Sequence, residues 1–240
     1  MIELYYWPTP NGWKISIALE ELGLRYVVKP VNLGRGEQFA PEFLSISPNN
    51  RIPALVDHDP PGGGPPFSSF ESGAMLMYLA DKTGRLLPAD WRGRHNVLPW
   101  LAWQVAELGP MLDLHDHYLH GACEQLPYAL ERQERETWRL YGVLDEQLGR
   151  QHRRGGTFVM GDYSIADIAI YPWIMTHKAL GLDLQEFGHV KRWFSLVGAR
   201  AAVQRGLAAG KDLRSNNPID QDARRQLFGS GEEQTRPQDL

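Results

Sequence analysis

Every strand-like stretch of this 240-residue chain lies within its first 70 residues, and the chain beyond residue 91 reads as helix. That segregation restricts the fold to a small α/β unit followed by an all-helical one. Ile2–Tyr6 is short, apolar and aromatic, and Pro8 and Pro10 stop it, as expected for a buried strand running into a turn. Asn11 is the expected N-cap of a first helix, in which Ile15, Ala18, Leu19 and Leu22 recur at helical spacing until Gly23. Tyr26–Val31, Ala54–Asp57 and, more weakly, Phe67–Phe70 read as strands, the last after the Pro/Gly-rich loop 60–66. Met75, Leu76, Tyr78 and Leu79 then give a helix from Glu71 to about Gly84, so residues 1–85 form the α/β domain.

Residues 92–210 form the predicted all-α domain. Leu98, Leu101, Trp103, Val105 and Leu108 mark a helix up to Gly109-Pro110, which either kinks or ends it. Further helices are expected over 127–148, 164–177, 187–198 and 199–209, with 211–240 a loosely ordered polar tail. Ser164 followed by Asp167 before an apolar run is a capping box, a structural reading preferred over a catalytic acid.

Composition excludes several functions. Lysine and arginine number 25 against 29 aspartates and glutamates, for a net charge of −4, which disfavours nucleic acid as a partner. No apolar run reaches the 18 or so residues of a spanning helix, so no membrane role is expected. The opening Met1-Ile2-Glu3 lacks the positive charge of a secretory signal, which leaves a cytoplasmic location as the expectation. Cys123 is the sole cysteine: it rules out a disulfide framework or a C-x-x-C pair and reads as an inert thiol. Any sulfur chemistry must therefore use a borrowed thiol. Asp113/His117 and Asp116/His120, each four apart, invite a metal reading, but a hydrophilic loop or pocket rim accounts for them equally well, and no metal is assigned. Trp91, Trp100, Trp103 and Trp138 are expected as core or interface aromatics.

Three turns in the α/β domain belong together. Trp7-Pro8-Thr9-Pro10-Asn11-Gly12 is a strand-to-helix turn suited to a negative group, Asn49-Asn50-Arg51-Ile52-Pro53-Ala54 opens a strand on a proline, and Phe70-Glu71-Ser72-Gly73 is a second polar helix entry suited to a carboxylate. With Gln38-Phe39 and Leu108-Gly109-Pro110-Met111, these stretches resemble the cytosolic glutathione transferases over roughly residues 1–210, and within them the nu class of bacterial glutathione-dependent disulfide-bond oxidoreductases. The globular domain of a yeast nitrogen-catabolite regulator with prion behaviour is similar too. Trp7 and Trp13, flanking the turn, depart from the pattern.

The resemblance implies a thioredoxin-like N-terminal domain with a mixed four-stranded sheet, an all-α C-terminal domain and a homodimer. It implies glutathione as co-substrate, with Thr9 and Asn11 as the catalytic pair that stabilises its thiolate. It further implies a cis Ile52-Pro53 bond facing the cysteinyl part, Glu71 on the ligand ammonium and Ser72 on the γ-glutamyl carboxylate. Gln38 would contact the glycine end, and Arg132 would reach the ligand from the helical domain or a partner subunit. The implied reaction is reduction of small or mixed disulfides by two glutathiones. Conjugation of electrophiles or cleavage of aryl ethers is the alternative within catalysis, and a non-catalytic regulator the alternative outside it.

Overall fold

The structure is a computed structural model that describes residues 1–122 and 124–213. The expectations for Cys123 and for the tail beyond residue 213 lie outside the described residues; the start of that tail, Lys211–Leu213, is a 3-10 turn.

Strand β1 (Ile2–Tyr6) leads into helix α1 (Pro10–Leu22), which returns to β2 (Tyr26–Pro30). A short helix α2 (Pro41–Leu44) precedes β3 (Ala54–Asp57), β4 (Phe67–Phe70) and helix α3 (Ser72–Thr83). The four strands form one mixed sheet in the order β2-β1-β3-β4, with β1 parallel to β2 and antiparallel to β3, and β3 antiparallel to β4. Ile2, Leu4 and Tyr6 alternate into the core from β1, where they meet Ile15, Ala18 and Leu19 of α1.

Asn11 is not the N-cap of α1. Proline at the first helical position moves the boundary back, so Thr9 takes the cap position and Asn11 lies inside the first turn. Gly12 is required there, because a Cβ would sit 2.3 Å from the Trp7 carbonyl oxygen and 2.9 Å from the Tyr6 ring.

The helical domain begins with α4 (Trp91–Trp103), capped by Asp90, whose side chain accepts from Gly93 N at 2.9 Å. It continues without interruption through a π-helical turn, Gln104–Leu108, into α5 (Gly109–Asp116) and a second π-helical turn, His117–Gly121. Gly109-Pro110 therefore does not end the helix. Pro110 cannot donate to the carbonyl four residues back, and the widened turn before it absorbs that loss. Helices α6 (Pro127–Arg153), α7 (Ile165–Ile174), α8 (Gly188–Gly198) and α9 (Ala201–Ala208) complete the domain.

The capping box at α7 forms as expected. Asp167 is fully buried and accepts from Ser164 N, Val159 N and Trp193 Nε1 at 3.0, 3.0 and 2.8 Å. Burial pushes its carboxyl up to about 6 against the pull of those donors. Of the predicted aromatics, Trp100 and Trp103 pack on the core, whereas Trp91 is exposed and stacks on His95.

Both domains share one continuous core, and α1 lies at its centre, packed against α3, α7 and α9. Ser16 Oγ donates to the Gly206 carbonyl of α9 at 2.8 Å, and Arg200 forms a two-pronged ion pair with Glu21 at 2.6 and 2.9 Å.

Gly12→Ala is expected to cost about 3 kcal/mol, because the obstructing atoms belong to backbone and a packed ring. Gly142→Ala, exposed within α6 with nothing within 4 Å of a new Cβ, should gain about 1 kcal/mol. Urea midpoints of the two variants test this: equal shifts of the same sign would contradict the packing described here.

Candidate glutathione site

A cleft of about 300 Å³ separates the sheet side of the molecule from the helical domain. Asn11, Lys14, Ile52, Pro53, Glu71 and Ser72 line it from the α/β domain, and Gln104, Gly109, Pro110, Asp113 and Trp173 from the helical domain. Of the residues predicted from sequence, Asn11, Ile52, Pro53, Glu71 and Ser72 are therefore brought together, and the Ile52–Pro53 peptide is cis.

Thr9 does not line the cleft; it is the cap residue of α1, two positions before Asn11, in extended conformation (φ −120°, ψ 165°). Its side chain makes no capping bond, and the first turn of α1 carries no acidic residue. The positive end of a 13-residue helix is thus left with open donors and no internal anion. Asn11 is half-buried beside it, and its Oδ1 accepts from Trp173 Nε1 at 3.1 Å.

Gln38 is buried in a 3-10 turn, with its Oε1 unpartnered among the described residues, and does not line the cleft. Arg132 is exposed on α6 and does not line the cleft.

Glu71 adopts φ 65°, ψ 112° immediately before α3, a conformation that costs a non-glycine residue about 1–3 kcal/mol. That backbone carries an exposed carboxylate that accepts a hydrogen bond from Asn49 Nδ2 at 3.1 Å. Strained positions of this kind cluster at ligand sites.

Lys14 is the residue that sequence reading missed. One turn inside α1, it is only 1% exposed, and its Nζ donates to Ser72 Oγ at 3.2 Å and to Gln104 Oε1 at 2.5 Å. Burial pulls its pKa down to about 7, with Glu71 opposing the shift. An ammonium only donates, so Ser72 Oγ accepts from it and the serine keeps its own O–H to donate elsewhere. The sequence signal was a single lysine beside an otherwise apolar helical stretch, Ile15 to Leu19.

The histidine-rich stretch is helical rather than a loop. His115 is buried with Nδ1 2.9 Å from Thr137 Oγ1, and His120 pairs with Asp116 at 3.1 Å. Among the described residues no three His, Cys, Asp or Glu side chains gather to hold a metal ion. Asp113 instead faces the cleft, where burial and the nearby Asp116 raise its carboxyl pKa and Arg51 opposes them. No helix among the described residues is long and apolar enough to cross a membrane.

A mixed sheet with an open helix end on its cleft side, backed by a helical domain, defines a class, and comparison with known proteins agrees with it. Residues 1–81 match the glutathione S-transferase N-terminal domain and residues 115–201 the C-terminal domain. The chain belongs to the glutathione S-transferase family. It is 50% identical over 219 residues to the disulfide-bond oxidoreductase YfcG of Escherichia coli K12, covering 90% of this chain and 100% of that one. A glutathione transferase family member from Pseudomonas fluorescens, solved with two glutathiones bound, aligns at 43% identity and TM-score 0.78, over 86% of this chain and 92% of that one. A Pseudomonas putida glutathione transferase, solved with one glutathione disulfide per subunit, aligns at 40% identity and TM-score 0.78, over 86% and 90%.

Two variants test the electrostatics. Glu71→Gly relieves the positive φ at a cost of about 0.5–1 kcal/mol in unfolded-chain entropy, so stability should hold or rise by up to about 2 kcal/mol while glutathione affinity falls. A large loss of stability with affinity intact would contradict that assignment. For Lys14 the folded pKa lies below the unfolded one, so between about pH 7 and pH 10 the unfolded chain holds a proton that the folded chain has released. The stability of the parent protein relative to Lys14→Met should therefore rise with pH across that window; a difference independent of pH would show that Lys14 is not a desolvated charge.

Proposed function

We propose that this protein is a glutathione-dependent disulfide-bond reductase of the nu type, which binds glutathione as a thiolate at the amino end of α1. The observation that carries the reading is that end itself: Thr9 at the cap position with no capping bond, Asn11 beside it on the cleft wall, and no cysteine in the turn.

A free thiol has a pKa of about 8.5, so little glutathione is ionised at neutral pH. Lowering it by about two units takes roughly 2.7 kcal/mol of preference for the anion. Hydrogen bonds from the Thr9 hydroxyl and the Asn11 amide, together with the positive end of α1, supply stabilisation of that order without a protein base or nucleophile. Glu71 takes the ligand ammonium, and Ser72 with the first N–H groups of α3 takes the γ-glutamyl carboxylate. The Ile52 backbone pairs with the cysteinyl part as a neighbouring strand would. We assign the glycine end to the Gln38 amide. Arg132 enters only as a contact made across a homodimer interface.

The bound thiolate attacks one sulfur of a small disulfide, forming a mixed disulfide and expelling the other sulfur as thiolate. A second glutathione thiolate then attacks the glutathionyl sulfur, giving glutathione disulfide and the second substrate thiol. Two glutathiones are oxidised and one disulfide is reduced. The disulfide-bond oxidoreductase name of the Escherichia coli relative and the glutathione disulfide in the Pseudomonas putida structure support this direction. We place the protein in the cytoplasm, where glutathione is held reduced, with residues 1–85 binding glutathione and 92–210 completing the cleft.

Purified protein given glutathione and hydroxyethyl disulfide should consume the disulfide, while Thr9→Ala and Asn11→Ala should each lower kcat by about tenfold or more with a smaller change in KM. Turnover confined to conjugation of a chloroarene, or variants that lose only glutathione affinity, would contradict the reading.

A further inference from the structure

The Asn11 side chain has two ends of opposite character, and which one faces the cleft decides whether it attracts or repels an anion. The structure fixes the choice from the other domain. Trp173, near the end of α7, aims its indole Nε1 at Asn11 Oδ1 at 3.1 Å. An indole N–H can only donate, so the amide must present its oxygen to Trp173. The planar amide then turns Nδ2, with its two hydrogens, away from Trp173. Nδ2 has no hydrogen-bond partner among the described residues, and both side chains line the cleft.

The indole is itself held in place. Trp173 is 7% exposed and belongs to the shared core. Its ring edge reaches the cleft beside Gly109, where a Cβ would stand 3.4 Å from Cε2, the ring atom bonded to Nε1. Gly109 thus borders the indole at ordinary contact distance, and the tighter neighbour of a Cβ there is Gln104, with Nε2 at 2.9 Å.

We propose that Trp173 is a positioning residue for thiolate stabilisation: its N–H locks the Asn11 amide with the donor end toward the sulfur. This rests on the reading that Asn11 serves a glutathione thiolate. Without the lock, the amide can rotate by half a turn and offer lone pairs to the anion. The helical domain then contributes to the chemistry through the orientation of a residue in the other domain, without its own contact to sulfur.

The test is a pH titration of thiolate absorbance for glutathione bound to the parent protein, to Trp173→Phe, and to a protein carrying benzothienylalanine at 173. That last analogue keeps the bicyclic shape and replaces the N–H by sulfur, so it retains the packing if phenylalanine does not. Loss of the lock should raise the bound thiol's pKa by about one unit, from about 6.5 to about 7.5, which cuts the thiolate fraction at pH 7 by about threefold. Turnover should fall in proportion near pH 7 and recover toward the parent's at high pH, with KM little changed. If the parent protein depresses the thiol pKa and both variants depress it equally, the proposal is overturned while the disulfide-reductase reading stands. If the parent protein shows no depression, both fall together.

Discussion

The structure depends on the burial of α1 between the sheet and the helical domain with its amino end left open. A helix of 13 residues that packs against α3, α7 and α9 is far more confined than the surface helix of a small α/β unit. The confinement comes from opposite sides. α9 approaches so closely that a Cβ on Gly206 would stand 2.6 Å from the Ile17 backbone, while β1 and its turn press on Gly12. A helix held this way does not tilt or fray when its first turn lacks the usual side-chain cap, and the free N–H groups stay in place for a ligand.

Electrostatics follow from that position. The cleft carries a buried lysine, Lys14, whose charge burial disfavours, a strained and solvated carboxylate at Glu71, and a carboxyl at Asp113 whose ionisation burial also disfavours. On the proposed reading, a ligand with an ammonium, carboxylates and a thiol meets Glu71, Ser72 and the open end of α1 in turn. The reacting sulfur belongs to the ligand, so the protein contributes oriented dipoles, and their orientation is maintained by side-chain contacts, one within the α/β domain and one across the domain boundary. Lys14 sets the direction of the Ser72 hydroxyl, and Trp173 that of the Asn11 amide.

Much of this is legible in the sequence because it is local. The strands and the two longer helices of the α/β half, α1 and α3, follow from periodicity and from Pro8, Pro10 and Gly23, while the single turn of α2 does not. The Ser164–Asp167 box announces a buried helix start, and the three polar turns converge on one cleft. Asn11 reads as a cap by residue type, but Pro10 competes for the helix start and wins. The Gly109-Pro110 pair reads as a break because local rules count the lost hydrogen bond and not the π-helical turn that accommodates it. The groups that orient the site are invisible for a different reason. Lys14 meets Ser72 and Gln104 at separations of 58 and 90 residues, and Asn11 meets Trp173 at 162, so no window along the chain contains both partners.

The central claim is that the open end of α1 holds an ionised sulfur which the protein does not itself own. A crystal structure of the protein with reduced glutathione tests it most directly. The account predicts the ligand sulfur at hydrogen-bonding distance from the Thr9 hydroxyl and from Asn11, with the γ-glutamyl end at Glu71 and Ser72. A tripeptide seated in the cleft with its sulfur turned away from α1 toward the helical domain would contradict it.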